Sequence, residues 1–247
     1  MTPLKIEVHA DAAAVSRRAA AWIAEAARQA IGQRDRFVLA LSGGRTPWQM
    51  LRILAAEAID WHKVHVMQVD ERVAPADDPG RNLTHLRDAL LVHAPIPAAQ
   101  VYAMPVEDPD LAAAAGRYGR LLAGVAGAPP VLDLVQLGLG TDGHTASLVP
   151  GDAALEIGGA DVAVTAAYKG RRRMTLTFPI INRARRILWL VTGEDKAEAV
   201  TRLVEGDLSL PAGRVRREPA LLLADRAAAA RLAISPGHDA RRKRINP

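Results

Sequence analysis

The 247-residue sequence predicts an α/β fold: a mostly parallel sheet with helices on both faces. Three observations lead there. Strand-like and helix-like segments alternate along the chain. The run Leu134–Leu137 has the pattern of a buried strand and ends in a glycine-rich turn. Three strand ends carry loops with site-like residues, at the place where open α/β sheets bind their ligands.

Residues 4–9 read as the first strand, because apolar and polar side chains alternate. Asp11 is placed to cap an alanine-rich helix that runs to about Ile31 and stops at Gly32. Residues 36–41 form the next strand, followed by Ser42-Gly43-Gly44-Arg45. Thr46 then caps a helix, with Pro47 at its first position and Gln49 completing a capping box. Residues 64–69 form a third strand that ends in Asp70-Glu71-Arg72. Helices are expected over 83–92 and 111–125, with a proline-bearing surface connection at 95–109 between them. A strand over 132–137 leads into Gly138-Leu139-Gly140-Thr141-Asp142-Gly143-His144. Beyond it, 161–167 and 174–178 read as strands. Ile187–Val191 is a strand that passes through Thr192-Gly193 into a helix over 194–204. A short strand at 221–224 precedes a last alanine-rich helix. No repeat or low-complexity linker interrupts this order, so residues 1–235 are expected to form one domain, with 236–247 a basic, disordered tail.

Composition excludes several classes. Hydrophobic residues make up 49% but aromatic ones only 4%, so the core must be built mainly from Ala, Val, Leu and Ile. No run of 18 apolar residues is free of charge, which argues against a membrane span. The first ten residues alternate like a strand and do not read as a signal peptide. With no cysteine there are no disulfides or thiolate metal sites, which fits a reducing, cytoplasmic setting. The 32 Lys and Arg against 27 Asp and Glu leave a formal charge of +5. That balance suits nucleic acid or a small anionic substrate. No zinc-finger spacing or aromatic-rich RNA motif accompanies it, so nucleic acid is not the expected partner.

Four segments carry chemistry. In Ser42-Gly43-Gly44-Arg45-Thr46, the glycines let backbone approach a ligand ahead of a helix N-terminus, a setting that attracts phosphate, and Arg45 could add a charge-assisted contact. The alternative is a tight turn with no ligand. Asp70-Glu71-Arg72 offers a guanidinium for phosphate, with Asp70 orienting it or accepting a sugar hydroxyl, or else a surface ion pair. The glycine turn presents Asp142 and His144 two residues apart, and histidine is the side chain best suited to move a proton near neutral pH. Lys196, one turn into a helix after Gly193, is a further cation or simply solvated.

Together these segments resemble the 6-phosphogluconolactonase family over nearly the whole chain. The carrying residues are 41–47 (Leu-Ser-Gly-Gly-Arg-Thr-Pro), Asp70-Glu71-Arg72 with Asn82 and Leu83, and 137–148 with Pro150-Gly151. Arg173-Met174-Thr175-Leu176-Thr177 with Pro179, and Thr192-Gly193 with Lys196, complete the set. The resemblance implies a Rossmann-like α/β fold related to glucosamine-6-phosphate deaminase and ribose-5-phosphate isomerase. It implies hydrolysis of 6-phospho-glucono-1,5-lactone to 6-phosphogluconate, in the oxidative pentose phosphate pathway, with no metal or organic cofactor. His144 would be the general base, and Asp142 would orient the imidazole or the water. Backbone amides of the glycine turn, Gly140 and Gly143 among them, would meet the oxyanion. Arg72, the loop Ser42, Gly43, Gly44, Arg45 and Thr46, together with Asp70, Asn82, Arg173 and Lys196, would hold the phosphorylated lactone. A monomer or weak homodimer is expected. The sequence departs from the family's pattern at Arg45, at Ala74 and at Arg81, positions that bear on phosphate contact rather than on the reaction.

Other readings fit less well. Gly138, Gly140 and Gly143 spell a dinucleotide fingerprint, but Pro150-Gly151 interrupts the helix it needs, and Asp161 precedes rather than closes the next strand. An amino-sugar phosphate isomerase-deaminase would place a carboxylate where Val149-Pro150 stands. No G-x-S-x-G elbow supports a serine hydrolase. A catalytically silent sugar-phosphate sensor would need a DNA-binding helix-turn-helix, for which the first strand begins too near Met1.

Overall fold

The structure, a computed structural model, describes residues 3–232. Its centre is a seven-stranded sheet in the order β1 (Lys5–His9), β10 (Ala220–Asp225), β9 (Ile187–Val191), β6 (Leu134–Leu137), β2 (Phe37–Leu41), β3 (Val64–Gln68) and β5 (Val101–Tyr102). Every pairing in it is parallel. Strands covered on both faces must be apolar throughout, and all five residues of β2 and of β9 are buried. Alternation divides them between two cores. Leu39 and Leu41 pack in one layer with α1 (Ala12–Arg34) and α2 (Arg45–Leu54). Val38 and Ala40 face α4 (Leu111–Ala126), α5 (Phe178–Arg183) and α6 (Ala197–Glu205) in the other. Helices therefore cover both faces, as the sequence predicts. None of them, among the described residues, is long and apolar enough to cross a membrane.

A second sheet departs from expectation. β4 (Asp70–Arg72), β8 (Arg173–Leu176) and β7 (Val162–Val164) pair antiparallel in the order β4-β8-β7. Asp70-Glu71-Arg72 is thus a strand, not a loop at a strand end. Val69 hinges the two sheets, donating its N–H to Leu41 and accepting from Leu176 through its carbonyl. The strand expected at 174–178 stops at Leu176 because Pro179 starts α5.

Local signals explain the other corrections. Asp11 caps α1 as predicted, accepting from the Ala14 amide at 2.8 Å. Gly32 does not end that helix: an exposed helical glycine costs only about 1 kcal/mol. The chain turns instead at Asp35, whose φ of 59° is one that Asp tolerates. Thr46 is not the cap of α2. Gly44 holds that position at φ 133°, and the Thr46 hydroxyl bonds Thr192 on the loop after β9 at 2.6 Å. Gln49 receives the Ser16 hydroxyl rather than closing a capping box. The helix expected at 83–92 is α3 (Asn82–Leu86) running into a π-helical turn, Arg87–Leu91. The helix expected from Glu194 begins as a 3-10 turn, Glu194–Lys196, before α6. After β10 the alanines at 227–230 form turns, not a helix, because Asp225 draws the Ala228 amide onto its side chain. The tail expected at 236–247 lies outside the described residues.

From β2 the chain moves outward to β3 and β5, whereas from β6 it moves the opposite way to β9 and β10. The ends of β2 and β6 therefore flank a topological switch point, where the two diverging connections leave a crevice.

Candidate active site

A cleft of about 170 Å³ occupies that crevice. It falls below the range of drug-sized sites and suits a small polar ligand. Nine residues singled out from sequence line it: Ser42, Gly43, Asp70, Arg72, Asn82, Gly140, His144, Arg173 and Lys196. Gly138, Leu139 and Ala146 complete the wall. Five others stand behind or beside it. Gly44 and Thr46 shape the first turn of α2, and Arg45 is exposed beside them. Gly143, at φ +80°, lets the turn lie against Leu210, where a Cβ would come within 2.5 Å. Asp142 supports His144 from outside the lining.

The glycine turn is closed by its own hydrogen bonds. The Gly140 amide donates to the His144 carbonyl at 2.8 Å and the Gly143 amide to the Gly140 carbonyl at 3.0 Å. Thr145 hydroxyl donates to the Gly138 carbonyl. These bonds make the turn rigid and engage the Gly140 and Gly143 amides within it. His144 Nδ1 lies 2.5 Å from Asp142 Oδ1, which also accepts the His144 amide at 3.2 Å. A carboxylate at Nδ1 selects the tautomer that carries its proton there, leaving Nε2 as the basic nitrogen. Burial pushes the Asp142 carboxyl up, but the His144 amide and ring and the Tyr168 hydroxyl outweigh it and hold the group below its ordinary value. Asp142 is therefore an anion throughout the neutral range.

The opposite wall is built from β4, α3 and β8. Asp70 is buried and accepts from the Ser147 hydroxyl at 2.5 Å and the Asn82 side-chain amide at 3.3 Å. Asn82 in turn accepts from Arg72 Nη1 at 2.5 Å. Asp70 thus orients Arg72 through Asn82, not directly. Glu71, fully buried, gathers the amides of Arg72, Asn82 and Leu83 at 2.8 Å each and pairs with Arg81 at 3.4 Å. A carboxylate at the first amides of α3 fixes where Asn82 begins. Gly43 admits Asn82: a Cβ there would sit 1.9 Å from the Asn82 Oδ1.

Positive charge dominates. Among the described residues no carboxylate lies within ion-pair distance of Arg72, which rules out the surface ion pair left open by the sequence. Arg173 is 9% exposed, its Nε has no hydrogen-bond partner, and Asp70 is 3.9 Å away. Burial pushes the Arg173 guanidinium below its ordinary value despite the pull of Asp70. A desolvated, half-satisfied guanidinium gains most from an anion entering beside it. Lys196 adds a third cation. Sequence reasoning assigned no role to Glu71, Ser147 or Tyr168. The first two lie inside motifs it quoted, whereas Tyr168 reaches Asp142 from 26 residues away and left no local signal.

The sequence pattern of the family described as glucosamine-6-phosphate isomerases/6-phosphogluconolactonase matches residues 10–223. The chain is 41% identical over 241 residues to a 6-phosphogluconolactonase of Mycobacterium tuberculosis, covering 92% of this chain and 98% of that one. It is 36% identical over 238 residues to a 6-phosphogluconolactonase of Nostoc sp., covering 93% and 98%. Among solved structures, the 6-phosphogluconolactonase of Trypanosoma brucei superposes with a TM-score of 0.82 at 29% identity, over 94% of this chain and 99% of that one.

Proposed function

The chain belongs to the glucosamine-6-phosphate isomerase/6-phosphogluconolactonase family, and from that premise we propose that it hydrolyses 6-phospho-D-glucono-1,5-lactone to 6-phospho-D-gluconate, with His144 as general base. The observation that carries this reading is the convergence, in one cleft, of an imidazole backed by a carboxylate and three cations from separate elements.

A δ-lactone is an activated ester, so its hydrolysis needs a placed water, a base and a counter-charge. His144 Nε2 takes a proton as water attacks C1, and the carbonyl becomes a tetrahedral oxyanion. The intermediate collapses by breaking the bond from C1 to the ring oxygen, which receives the proton from His144. The products are the C5 hydroxyl and a carboxylic acid that ionises into solvent. Asp142 holds the ring and stabilises the imidazolium that forms between these steps. With the amides of Gly140 and Gly143 engaged within the turn, Lys196 is the cleft cation left to face the oxyanion. Arg72 and Arg173 grip the 6-phosphate, Asp70 accepts a sugar hydroxyl, and the remote contact places C1 against the base.

The test generates the lactone in situ and compares its disappearance with the spontaneous rate. Acceleration above that background is expected. A protein that binds 6-phosphogluconate yet leaves the background unchanged is a sensor, and the reading fails. Arg72→Ala is expected to raise KM by about 10- to 100-fold, the loss of a charge-assisted contact, with a smaller change in kcat. Steady-state parameters equal to the parent's remove Arg72 from the phosphate site.

A further inference from the structure

The hairpin between β7 and β8 folds its tip onto the His144 turn. Tyr168 and Arg171 exchange backbone hydrogen bonds across the tip at 3.0 and 3.3 Å. Lys169 and Gly170 form the turn between them at φ 52° and 80°, the double positive φ that suits a two-residue hairpin. This geometry aims Tyr168 at three groups. Its hydroxyl donates to Asp142 Oδ2 at 3.1 Å, while Oδ1 of the same carboxylate holds His144. Its ring stands edge-on to the His144 ring, with centroids 5.6 Å apart and planes at 65°. The Arg173 guanidinium lies over its face at 5.2 Å, and the Lys169 ammonium at 5.3 Å.

We propose that Tyr168 is a positioning residue for the lactone hydrolysis, fixing the plane of the Asp142 carboxylate and joining the base to the phosphate-gripping Arg173 through one aromatic ring. The assignment rests on the lactonase reading. Asp142 is exposed and both of its His144 bonds fall on Oδ1, so without a donor on Oδ2 its carboxylate is free to rotate toward water and carry the imidazole with it. The tyrosine occupies the oxygen that His144 does not use. It also connects the two sides of the chemistry: a phosphate drawing on Arg173 presses on the same ring that steadies the base.

Two variants separate the hydroxyl from the ring. Tyr168→Phe keeps the edge contact and the platform under Arg173 and is expected to lower kcat about tenfold with KM unchanged, the worth of one hydrogen bond to a charged acceptor. Tyr168→Leu is expected to lower kcat and raise KM together, because Arg173 loses its support. The split between kcat and KM supplies a readout that packing alone does not move, because losing the hydroxyl acts on kcat only whereas losing the ring acts on both. A folded Tyr168→Phe with the parent's kcat overturns the proposal. The parent's acceleration over spontaneous opening is measured in the same series, so failure of the lactonase reading shows in the parent and failure of the tyrosine assignment shows only in the variants.

Discussion

Replacing His144 with asparagine is expected to lower kcat for lactone opening by about 10²- to 10⁴-fold, the range that a positioned general base supplies. Asparagine retains a polar group near Asp142 and demands no new space, because the side chain is partly exposed at the cleft wall. The fold and the phosphate grip should therefore persist, and KM should change little. The measurement is turnover of lactone generated in situ, corrected for its spontaneous opening, with KM read in the same series. A folded variant turning over within a few-fold of the parent would remove His144 from the mechanism. So would a variant whose loss lay wholly in KM, since His144 would then bind the lactone rather than activate water.

The parts of this site that sequence revealed are those written in local spacing. Asp142 and His144 are two residues apart, and a turn that short cannot place them far from each other, so their pairing follows from the string itself. The parallel sheet was legible for a similar reason: alternating elements and apolar runs such as Ile187–Val191 leave little choice of architecture. What stayed hidden depends on distant backbone meeting. The expected Thr46 cap gave way because Thr192, 146 residues away, offers its hydroxyl a partner that no local rule anticipates. Asp70-Glu71-Arg72 read as a loop because its pairing partner, β8, is about a hundred residues downstream. Donor availability was also invisible. The glycine turn promised free amides, but whether Gly140 and Gly143 point outward or close on their own turn is settled only by the path to Leu210 and Ala212. The burial of Arg173, expected from sequence to hold the phosphorylated lactone, was likewise not legible in its run of three arginines.

Gly140→Ala is expected to lower kcat by about 10²-fold or more, approaching the His144→Asn loss, while leaving the protein folded and its KM near the parent's. The reason is steric and specific. A Cβ built at position 140 would lie 2.1 Å from His144 Nδ1, 2.3 Å from His144 Cε1 and 2.5 Å from Asp142 Oδ1. All three fall far inside van der Waals contact, and the methyl would enter the space between the imidazole and its carboxylate. Those side chains must part, and the tautomer and aim of the base go with them. The backbone has no matching objection, because Gly140 is not among the glycines at positive φ, unlike Gly143 at +80°. Alanine at such a position lowers the entropy of the unfolded chain and is worth about 0.4–1 kcal/mol, which offsets local strain. A thermal melt close to the parent's, alongside a collapsed kcat, is the expected combination. Since both substitutions act on one pair, the double variant Gly140→Ala/His144→Asn should be little worse than either alone, the non-additivity of residues that work as a unit. Additive losses would mean that Gly140 serves something other than the pair, such as the path of Leu139 along the cleft wall. Parent-like turnover by a folded Gly140→Ala would show that His144 does its work from a position other than the one beside Asp142.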